Sequence, residues 1–362
     1  MAGRGVRVLA TLLPLALAVL LGGCGLPPDG VSAFGVHLAG PSGYLVRGPR
    51  ILGPGGRPFL VHGLDRPSLE WDPHGVQLSL ADFKRMASWG ANAVRIPLNQ
   101  DFWLSTSCAH APGYRSVVAE AVRWAHQTGI RIVILDLHAS DRGADQTRSV
   151  YCAVKPGQQP MADRNSITFW RQVAAVYRND PGVWFELYNE PHNVPWSVWL
   201  HGGPVVDSKS HTTWTAAGLQ QLYAAVRSSG ARNIVLAGGL NWAYDLRGLP
   251  QYAIHGYNIA YAVHPYDYGG KQPQDWPRDF GFAAKRYPLI ATEFGQQNCG
   301  THYDQAFIRY AARIGIGWTA WAWFPGGCRF PSLIQNWRGS PTAAGRLVRS
   351  ALLSDRGRSG RT

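Results

Sequence analysis

Two glutamates follow strand-like segments and could act together on one covalent bond. Glu190 follows the run VWFELYN, and Glu293 follows PLIAT. Cleavage of a glycosidic bond needs two carboxyl groups, one to protonate the leaving oxygen and one to act at the anomeric carbon. A lone glutamate at a strand end is more often an ordinary ion-pair partner. The assignment therefore depends on where the fold places these two residues and on what surrounds them.

Short apolar segments alternate with amphipathic stretches along most of the chain, which predicts β-then-α units. Predicted strands cover 59–63, 93–97, 130–137, 183–188, 234–237, 259–263, 289–292 and 317–323. Predicted helices include 80–89, 114–128, 166–177, 214–228 and 303–314. Continuous apolar runs suit strands that are buried on both faces, as in parallel sheets.

This alternation predicts a single-domain α/β fold, the (β/α)8 TIM barrel, over residues 44–352. A small hairpin is expected at its start, with strands at 45–46 and 59–61 and a Gly-Pro-Gly-Gly turn at 53–56. A doubly wound sheet is the alternative architecture. It is disfavoured because the Gly-rich phosphate-binding pattern that would follow its first strand is missing from this sequence.

Polar and aromatic residues recur at the ends of the predicted strands, where a barrel of this kind holds its active site. Besides the two glutamates, these residues are Arg95, His138, Asn189, His264, Tyr266 and the tryptophans Trp321 and Trp323. A purely structural barrel has no reason to place such groups at one strand end after another. The set therefore indicates a catalytic mouth.

From about residue 46 to 337, the chain resembles glycoside hydrolase family 5, the cellulase family of retaining (β/α)8 enzymes. Asn-Glu-Pro at 189–191 and Thr-Glu-Phe-Gly at 292–295 carry the resemblance most specifically. The ordered set that matches the family is Arg95, His138, Asn189, Glu190, His264, Tyr266, Glu293 and a tryptophan of the eighth strand. Each motif is weak alone, and the ordered set is strong.

The resemblance implies a role for each residue at the reacting centre. Glu293 is expected to attack the anomeric carbon, and Glu190 to act as general acid and then as general base. Asn189 would bind the sugar 2-hydroxyl. Arg95 and Tyr266 would hold Glu293 ionised. With Glu293 negative, Glu190 is expected to keep its proton near neutral pH. This mechanism needs no cofactor and no metal.

Other aromatic and imidazole groups are expected to line the sugar-binding cleft. His138 and His264 would be polar wall residues, although a histidine at such a position can also be a satisfied core residue. Trp321 would form the floor under the reacting sugar, and strand alternation places Trp323 on the same face. Candidate outer subsites, where an aromatic face stacks on a sugar, are Trp71, Trp103, Trp196, Trp199, Trp242 and Trp276.

Several alternatives remain open at this stage. The expected substrate is a β-linked polysaccharide or oligosaccharide cut by an endo-β-1,4-glucanase, with an endo-β-mannanase or another β-glycan or glycolipid glycosidase next. Gly63-Leu64-Asp65 departs from the Gly-x-Asn pattern that the family often carries, which leaves subsite detail open. A non-catalytic carbohydrate-binding protein would typically lack one of the carboxylates. A metal-dependent hydrolase would be expected to show a His-x-His pair after its first strand.

The N-terminus is predicted to be a targeting segment. Arg4 and Arg7 precede an apolar run at 8–21, which is short for a membrane span. The run ends in Leu-Gly-Gly-Cys at 21–24, which resembles the lipobox of bacterial lipoproteins. We therefore expect a signal peptide at 1–24, lipid on Cys24, a tether at 25–43 and attachment to the outer face of a bacterial membrane. The rival interpretation is an ordinary signal peptide and a secreted protein.

Four cysteines remain after Cys24, namely Cys108, Cys152, Cys299 and Cys328. An even number of cysteines in an exported protein indicates disulfides. Three connectivities are possible, and neighbouring loops of a barrel would favour the pairs Cys108–Cys152 and Cys299–Cys328. The sequence contains no Cys-x-x-Cys pair and no Cys/His spacing of the kind that binds zinc.

The formal net charge is +13, but the basic residues are scattered along the sequence. Nucleic-acid binding needs a clustered basic surface, so we expect no nucleic-acid partner and interpret the charge as a solvated basic surface. The Arg/Gly/Ser-rich tail at 353–362 is predicted to be disordered. The protein is expected to be a monomer.

Overall fold

A computed structural model describes residues 43–139, 159–206 and 213–359. The predicted signal peptide, nearly all of the predicted tether, Cys24 and Cys152 lie outside these ranges. Within the described ranges, no helix combines the length and the apolar character that a membrane crossing requires.

Parallel strands close into a barrel, as the alternating pattern predicts. The strands are β1 Leu45–Arg47, β2 Arg50–Leu52, β3 His62–Asp65, β4 Ala93–Asn99, β5 Ile132–Ala139, β6 Val183–Glu186, β7 Gly203–Val206, β8 Thr213–Ala216, β9 Val235–Gly238, β10 Ile259–Ala262, β11 Leu289–Ala291 and β12 Gly317–Ala320. In the barrel the order is β3-β4-β5-β6-β9-β10-β11-β12, and β12 pairs with β3. Each predicted barrel strand is confirmed with shifts of a few residues at its ends.

Helices follow most barrel strands and cover the outside of the sheet. They are α1 Leu80–Ser88, α2 Gln100–Trp103, α3 Tyr114–Gln127, α4 Arg164–Tyr177, α5 Trp196–His201, α6 Leu219–Ser228, α7 Leu240–Ala243, α8 Leu249–Tyr252, α9 Trp276–Asp279, α10 His302–Ile314 and α11 Ala343–Ser359. The start of α4 is fixed by a capping box. The side chains of Asp163 and Ser166 each accept a hydrogen bond from the backbone N–H of the other residue. Gly63 is required where β3 meets β4, because a Cβ there would lie 2.3 Å from the Ala93 carbonyl oxygen.

The N-terminal hairpin seals the end of the barrel at which the strands begin. Tyr44 and Phe59 pack edge-on against each other and against Trp184 of β6. Val46 N–H donates to Asn258 Oδ1 at 2.9 Å, which ties β1 to the segment before β10. The hairpin thus supplies apolar side chains to a second core cluster inside this end of the barrel.

Three boundaries differ from the sequence prediction. The second hairpin strand is Arg50–Leu52 and not 59–61, because Gly48 adopts a φ of +55° and turns the chain early. The first barrel strand therefore begins at His62. The predicted helix at 214–228 begins only at Leu219, because 213–216 alternates between exposed and buried positions and pairs antiparallel with β7.

The C-terminal segment is also more ordered than its composition predicts. Helix α11 continues to Ser359, so most of the predicted disordered tail at 353–362 is helical. Asp355 lies 3.1 Å from His62 Nδ1 at the start of β3, which holds this helix against the barrel. Residues 360–362 lie outside the described ranges.

The seal between hairpin and barrel predicts a difference between two tryptophan variants. Trp184→Ala removes a fully buried ring that contacts both hairpin aromatics, and should lower the free energy of unfolding by about 3–5 kcal/mol. Trp71→Ala is the control, because Trp71 is 37% exposed. Its removal should lower the free energy of unfolding much less than Trp184→Ala does. Urea unfolding of both variants measures the difference. Equal losses would contradict the structural role of the hairpin seal.

Candidate active site

The C-terminal ends of the barrel strands bring the predicted polar residues to one mouth. Arg95 comes from β4, and His138 from β5. The loops after β6, β10, β11 and β12 contribute the remaining members of the set, which are Asn189, Glu190, His264, Tyr266, Glu293 and Trp321. Residues far apart in sequence therefore share one cleft because parallel strands present the same end to it.

The two glutamates lie close enough to act on one bond. One oxygen of Glu190, one oxygen of Glu293 and a ring nitrogen of His264 all lie within 4.8 Å of one another. Retaining glycosidases place their carboxyl groups about 5–5.5 Å apart, whereas inverting enzymes leave about 6.5–9.5 Å for a water molecule. The separation therefore fits the retaining arrangement.

Both oxygens of Glu293 receive a strong donor. Arg95 Nη1 lies 2.7 Å from Oε1, and the Tyr266 hydroxyl donates to Oε2 at 2.5 Å. Burial, followed by the negative charges of Glu293 and Glu190, raises the pKa of Tyr266 well above its ordinary value. Tyr266 therefore stays a proton donor, and Arg95 and Tyr266 together orient both carboxyl oxygens of Glu293.

Arg95 is the centre of the charged network beneath the cleft. It is fully buried and contacts Asp65 at 3.2 Å, Asp136 at 2.9 Å and Glu186 at 2.5 Å, in addition to Glu293. Burial alone would lower the pKa of Arg95, but these carboxylates raise it well above its ordinary value. The guanidinium is therefore a permanent cation that all four carboxyl groups share.

Asn189 is oriented by the same guanidinium. Arg95 Nη2 donates to Asn189 Oδ1 at 2.6 Å. This contact fixes which end of the amide is the acceptor, so the amide nitrogen points away from Arg95 and can donate to a sugar hydroxyl. The geometry is compatible with the role expected for Asn189 at the 2-hydroxyl.

Asp65 belongs to this network and does not line the cleft. Its side chain is completely buried, and burial raises the pKa of Asp65 well above its ordinary value despite the nearby Arg95. Its Oδ2 atom has no hydrogen-bond partner among the described residues. The departure from the Gly-x-Asn pattern therefore alters the support beneath the site and leaves the wall of the cleft unchanged.

His138 carries a positive charge into the cleft beside Trp321. Its Nδ1 atom lies 2.8 Å from Asp136 Oδ2, and its ring stacks on the Trp321 ring at 5.7 Å with an interplanar angle of 14°. Burial lowers its pKa, but the hydrogen bond and charge of Asp136 outweigh burial and raise the pKa of His138 to about 9. His138 is therefore protonated at neutral pH.

Thr292 fixes the tautomer of His264. Burial raises the pKa of Glu186, but the charge of Arg95 and the nearby His264 outweigh burial and lower that pKa to about 2. As an ionised carboxylate, Glu186 accepts the Thr292 hydroxyl proton at 2.6 Å. Thr292 Oγ1 must then accept the proton of His264 Nε2, which lies at 2.9 Å. The second proton of the imidazole is therefore available only on Nδ1.

His264 Nδ1 faces Glu190 Oε1 at 3.0 Å, so the two groups share one proton. Burial raises the pKa of Glu190, but the hydrogen bond and charge of His264 lower it below its ordinary value. Burial lowers the pKa of His264, but Glu293, Glu186 and Glu190 raise it to about 10. Both shifts favour His264 over Glu190 as the resting holder of the shared proton, contrary to the expectation from the sequence.

The tryptophans divide between cleft and core. Trp321 lies at the mouth against His138, as expected of a floor. Trp323 does not share that face, because β12 ends at Ala320 and alternation stops there. Its fully buried ring packs on Trp89 at 4.7 Å, and its Nε1 donates to Asp82. Trp323 is therefore a core residue.

The same division corrects the set of outer subsites. Trp103, Trp199 and Trp276 are at most 1% exposed, so they pack the core and cannot stack on a sugar. Trp196 is half-buried against the ring of Trp199. Only two of the six candidates are well exposed, namely Trp71 at 37% and Trp242 at 38%.

Sequence reasoning missed Glu186, Thr292 and Asp136, which hold the catalytic groups in place. A charged residue inside the apolar run VWFELYN was a detectable signal, because a buried charge in a parallel strand needs a partner. Thr292 gave no comparable signal. Its role depends on the contact with His264, which comes from a distant strand.

One disulfide is confirmed among the loops at the mouth. Cys299 and Cys328 are bonded, with Cα atoms 4.7 Å apart, and connect the loops that follow β11 and β12. Cys108 is also disulfide-bonded. Its predicted partner Cys152 lies outside the described residues, so that pairing stays a prediction.

Two close carboxyl groups at the mouth of a (β/α)8 barrel define the geometry of the retaining glycosidases. The family described as cellulase (glycosyl hydrolase family 5) matches residues 55–327. The chain therefore belongs to glycosyl hydrolase family 5.

Named relatives and solved structures agree with this family. The chain is 22% identical to an endoglucanase of Clostridium saccharobutylicum, covering 76% of this chain and 56% of that protein. It is 23% identical to a β-mannanase/endoglucanase A of Caldicellulosiruptor saccharolyticus, covering 69% of this chain and 17% of that protein. The chain thus spans only part of the length of these relatives.

Among solved structures, a β-glucanase of Saccharophagus degradans in complex with cellotetraose superposes with a TM-score of 0.67. The two chains are 24% identical, and the match covers 91% of this chain and 98% of that one. The catalytic domain of an endoglucanase of Thermobifida fusca, also with cellotetraose, gives a TM-score of 0.65 at 20% identity and covers 86% and 97% of the two chains. These likenesses show the fold.

The contact between Thr292 and His264 predicts an effect on catalysis. Thr292→Val removes the acceptor of the Nε2 proton and frees His264 to change tautomer, so kcat should fall about tenfold to a hundredfold. Thr292→Ser keeps the hydroxyl and should retain most of the rate. Steady-state kinetics of both variants on a soluble glycan measures the difference. Equal rates in the two variants would show that the hydroxyl does not matter.

The shared proton predicts the alkaline limb of the pH profile. The pKa of His264 is raised to about 10, so His264 and Glu190 together keep their shared proton up to about that pH. The value of kcat/KM should therefore remain high well above neutrality. His264→Asn leaves Glu190 as the sole carrier of the proton, and the alkaline limb should move down by more than one pH unit. A profile of kcat/KM against pH tests this, with urea unfolding as a check on folding. An unmoved limb would contradict the shared proton.

Proposed function

We propose that this protein is a retaining glycosidase that cleaves internal β-1,4 bonds of a glucan. The observation that carries the proposal is the placement of Glu190 and Glu293, with one oxygen of each within 4.8 Å of the other and of His264. Membership of glycosyl hydrolase family 5 supports the reaction class.

In the first step, a carboxylate oxygen of Glu293 forms a bond to the anomeric carbon as the glycosidic C–O bond breaks. The leaving oxygen takes a proton from Glu190 as Glu190 receives the shared proton from His264 Nδ1, so Glu190 ends this step as a carboxylate and His264 as a neutral imidazole. In the second step, Glu190 removes a proton from water, and the water oxygen displaces Glu293 from the anomeric carbon. Configuration is retained because two inversions occur at one centre.

Exposed aromatic rings on two sides of the reacting centre favour cleavage inside a chain. Trp242 stacks on His192 at 3.6 Å, and His192 Nδ1 contacts the backbone oxygen of Glu190 at 2.7 Å. Trp71 contacts Phe330, which packs on Trp321. Sugar rings stack on such surfaces. One platform therefore adjoins the acid/base and the other adjoins the floor, as binding of a polymer across the cleft requires.

Two solved relatives were crystallised with cellotetraose, which supports a β-1,4-glucan as the substrate. A mannan is the second candidate, because one relative is named as both β-mannanase and endoglucanase. The catalytic groups are common to both substrates, so the choice between them is made by the outer subsites.

We also propose export and attachment to the outer face of a bacterial membrane through lipid on Cys24. The support is the sequence alone: a basic start, a short apolar run and Leu-Gly-Gly-Cys at 21–24. The disulfide between Cys299 and Cys328 is consistent with an oxidising compartment outside the cytoplasm. Secretion without lipid is the alternative.

The activity is tested by reducing-sugar release from cellulosic glucan, mixed-linkage glucan, mannan and xylan. The wild type should act best on a β-1,4-glucan. Glu190→Gln should lower kcat about a hundredfold to ten-thousandfold, and Glu293→Gln at least as much.

An aryl glycoside with a good leaving group provides the matched control. Its first step needs no proton, so Glu190→Gln should release a burst of phenol and then stall, whereas Glu293→Gln should release none. Full activity of either folded variant would refute the mechanism. Preference for mannan would move the assignment to the second candidate.

A further inference from the structure

The fold gathers exposed basic side chains at the end of the barrel opposite the active site. The N-terminal ends of parallel strands, and the loops that lead into them, lie together at this end. The hairpin and these loops carry Arg47, Arg50, Arg131, Arg178, Arg232, Lys285 and Arg286, which are all exposed. We name this set the basic end. These residues are far apart along the sequence, and the barrel brings them to one end.

Few acidic groups offset this charge. In the described loops that form the basic end the acidic residue is Asp180, and it is ion-paired with His126 at 3.2 Å. Asp355 reaches the same end from α11 and pairs with His62. The loops at the opposite end carry acidic residues outside the catalytic pair, namely Glu70, Asp72, Asp101, Asp163, Asp245, Asp267 and Asp275. Exposed arginines at that end, such as Arg247 and Arg278, are ion-paired with aspartates. Acidic groups therefore offset basic groups more fully there than at the basic end.

We propose that the basic end docks on an anionic lipid surface, which leaves the catalytic cleft facing away from the membrane. Charge complementarity is the first argument, because basic residues near an anionic bilayer are attracted additively. Apolar exposure is the second: Leu60, 45% exposed, lies in the loop before β3 at this end. This inference extends the proposed lipid attachment but does not depend on the proposed glycosidase activity.

The path of the chain also favours a membrane over other polyanions. The described chain begins at Gly43, and Tyr44 packs into the basic end, so the segment that would connect to a lipid on Cys24 joins the barrel at this end. Even fully extended, the chain between Cys24 and Tyr44 spans at most about 70 Å. A body held this close meets the bilayer continually. A weak attraction per charge is then enough to select which end faces it.

The test is co-sedimentation with lipid vesicles. It uses residues 38–362, which form one compact unit and lack the predicted lipid attachment site. Vesicles of phosphatidylcholine mixed with equal parts of phosphatidylglycerol are compared with vesicles of phosphatidylcholine alone. The basic-end variant combines Arg47→Glu, Arg50→Glu, Arg232→Glu and Arg286→Glu.

The matched control changes the net charge equally at exposed positions elsewhere, with Lys84→Glu, Arg171→Glu, Arg309→Glu and Arg329→Glu. The wild type and the control should both bind the anionic vesicles, and binding should weaken as salt is raised because salt screens charge. The basic-end variant should lose at least about tenfold in binding. Urea unfolding of each variant verifies the fold independently of activity.

Three outcomes would overturn the proposal. An equal loss of vesicle binding in the two variants would show that net charge matters and that the basic end has no special role. Absence of binding to anionic vesicles at low salt would show that the surface does not recognise lipid. Tighter binding to double-stranded DNA than to vesicles would reassign the basic end to a nucleic-acid partner. Loss of glycan hydrolysis in the wild type would leave this inference untouched.

Discussion

The structure depends on one buried cation shared by carboxyl groups from several strands. Arg95 reaches side chains that follow or belong to β3, β5, β6 and β11, and it also orients Asn189. A buried charge is stable only when partners surround it, and removing one partner leaves the others uncompensated. The position of Glu293 is therefore coupled to the closure of the barrel itself.

The sequence predicted the barrel and the position of two neighbouring glutamates at its mouth because both depend on short-range patterns. Apolar runs define the strands, and Glu190 and Glu293 directly follow two of them. The proton arrangement could not be predicted in the same way. It depends on Thr292 lying between Glu186 and His264, which belong to three separate strands or their ends. The preference of the shared proton for His264 follows from those contacts and not from any local motif.

Errors arose where a periodic rule was extended past the end of its element. Alternation placed Trp323 beside Trp321, but the strand had already ended at Ala320. The second hairpin strand was predicted too late in the sequence, because the turn at Gly48 precedes the more conspicuous glycine run at 53–56. The basic end was missed for the opposite reason, since a barrel brings one loop from each repeat to the same end.

The pairing of β12 with β3 joins the last strand of the barrel to its first. Until the chain is complete through β12, the backbone groups of β3 that face it have no partner, and the sheet has two open edges. Unpaired edges are templates for association with other chains. A chain interrupted before Gly317 would therefore be prone to aggregation as well as inactive.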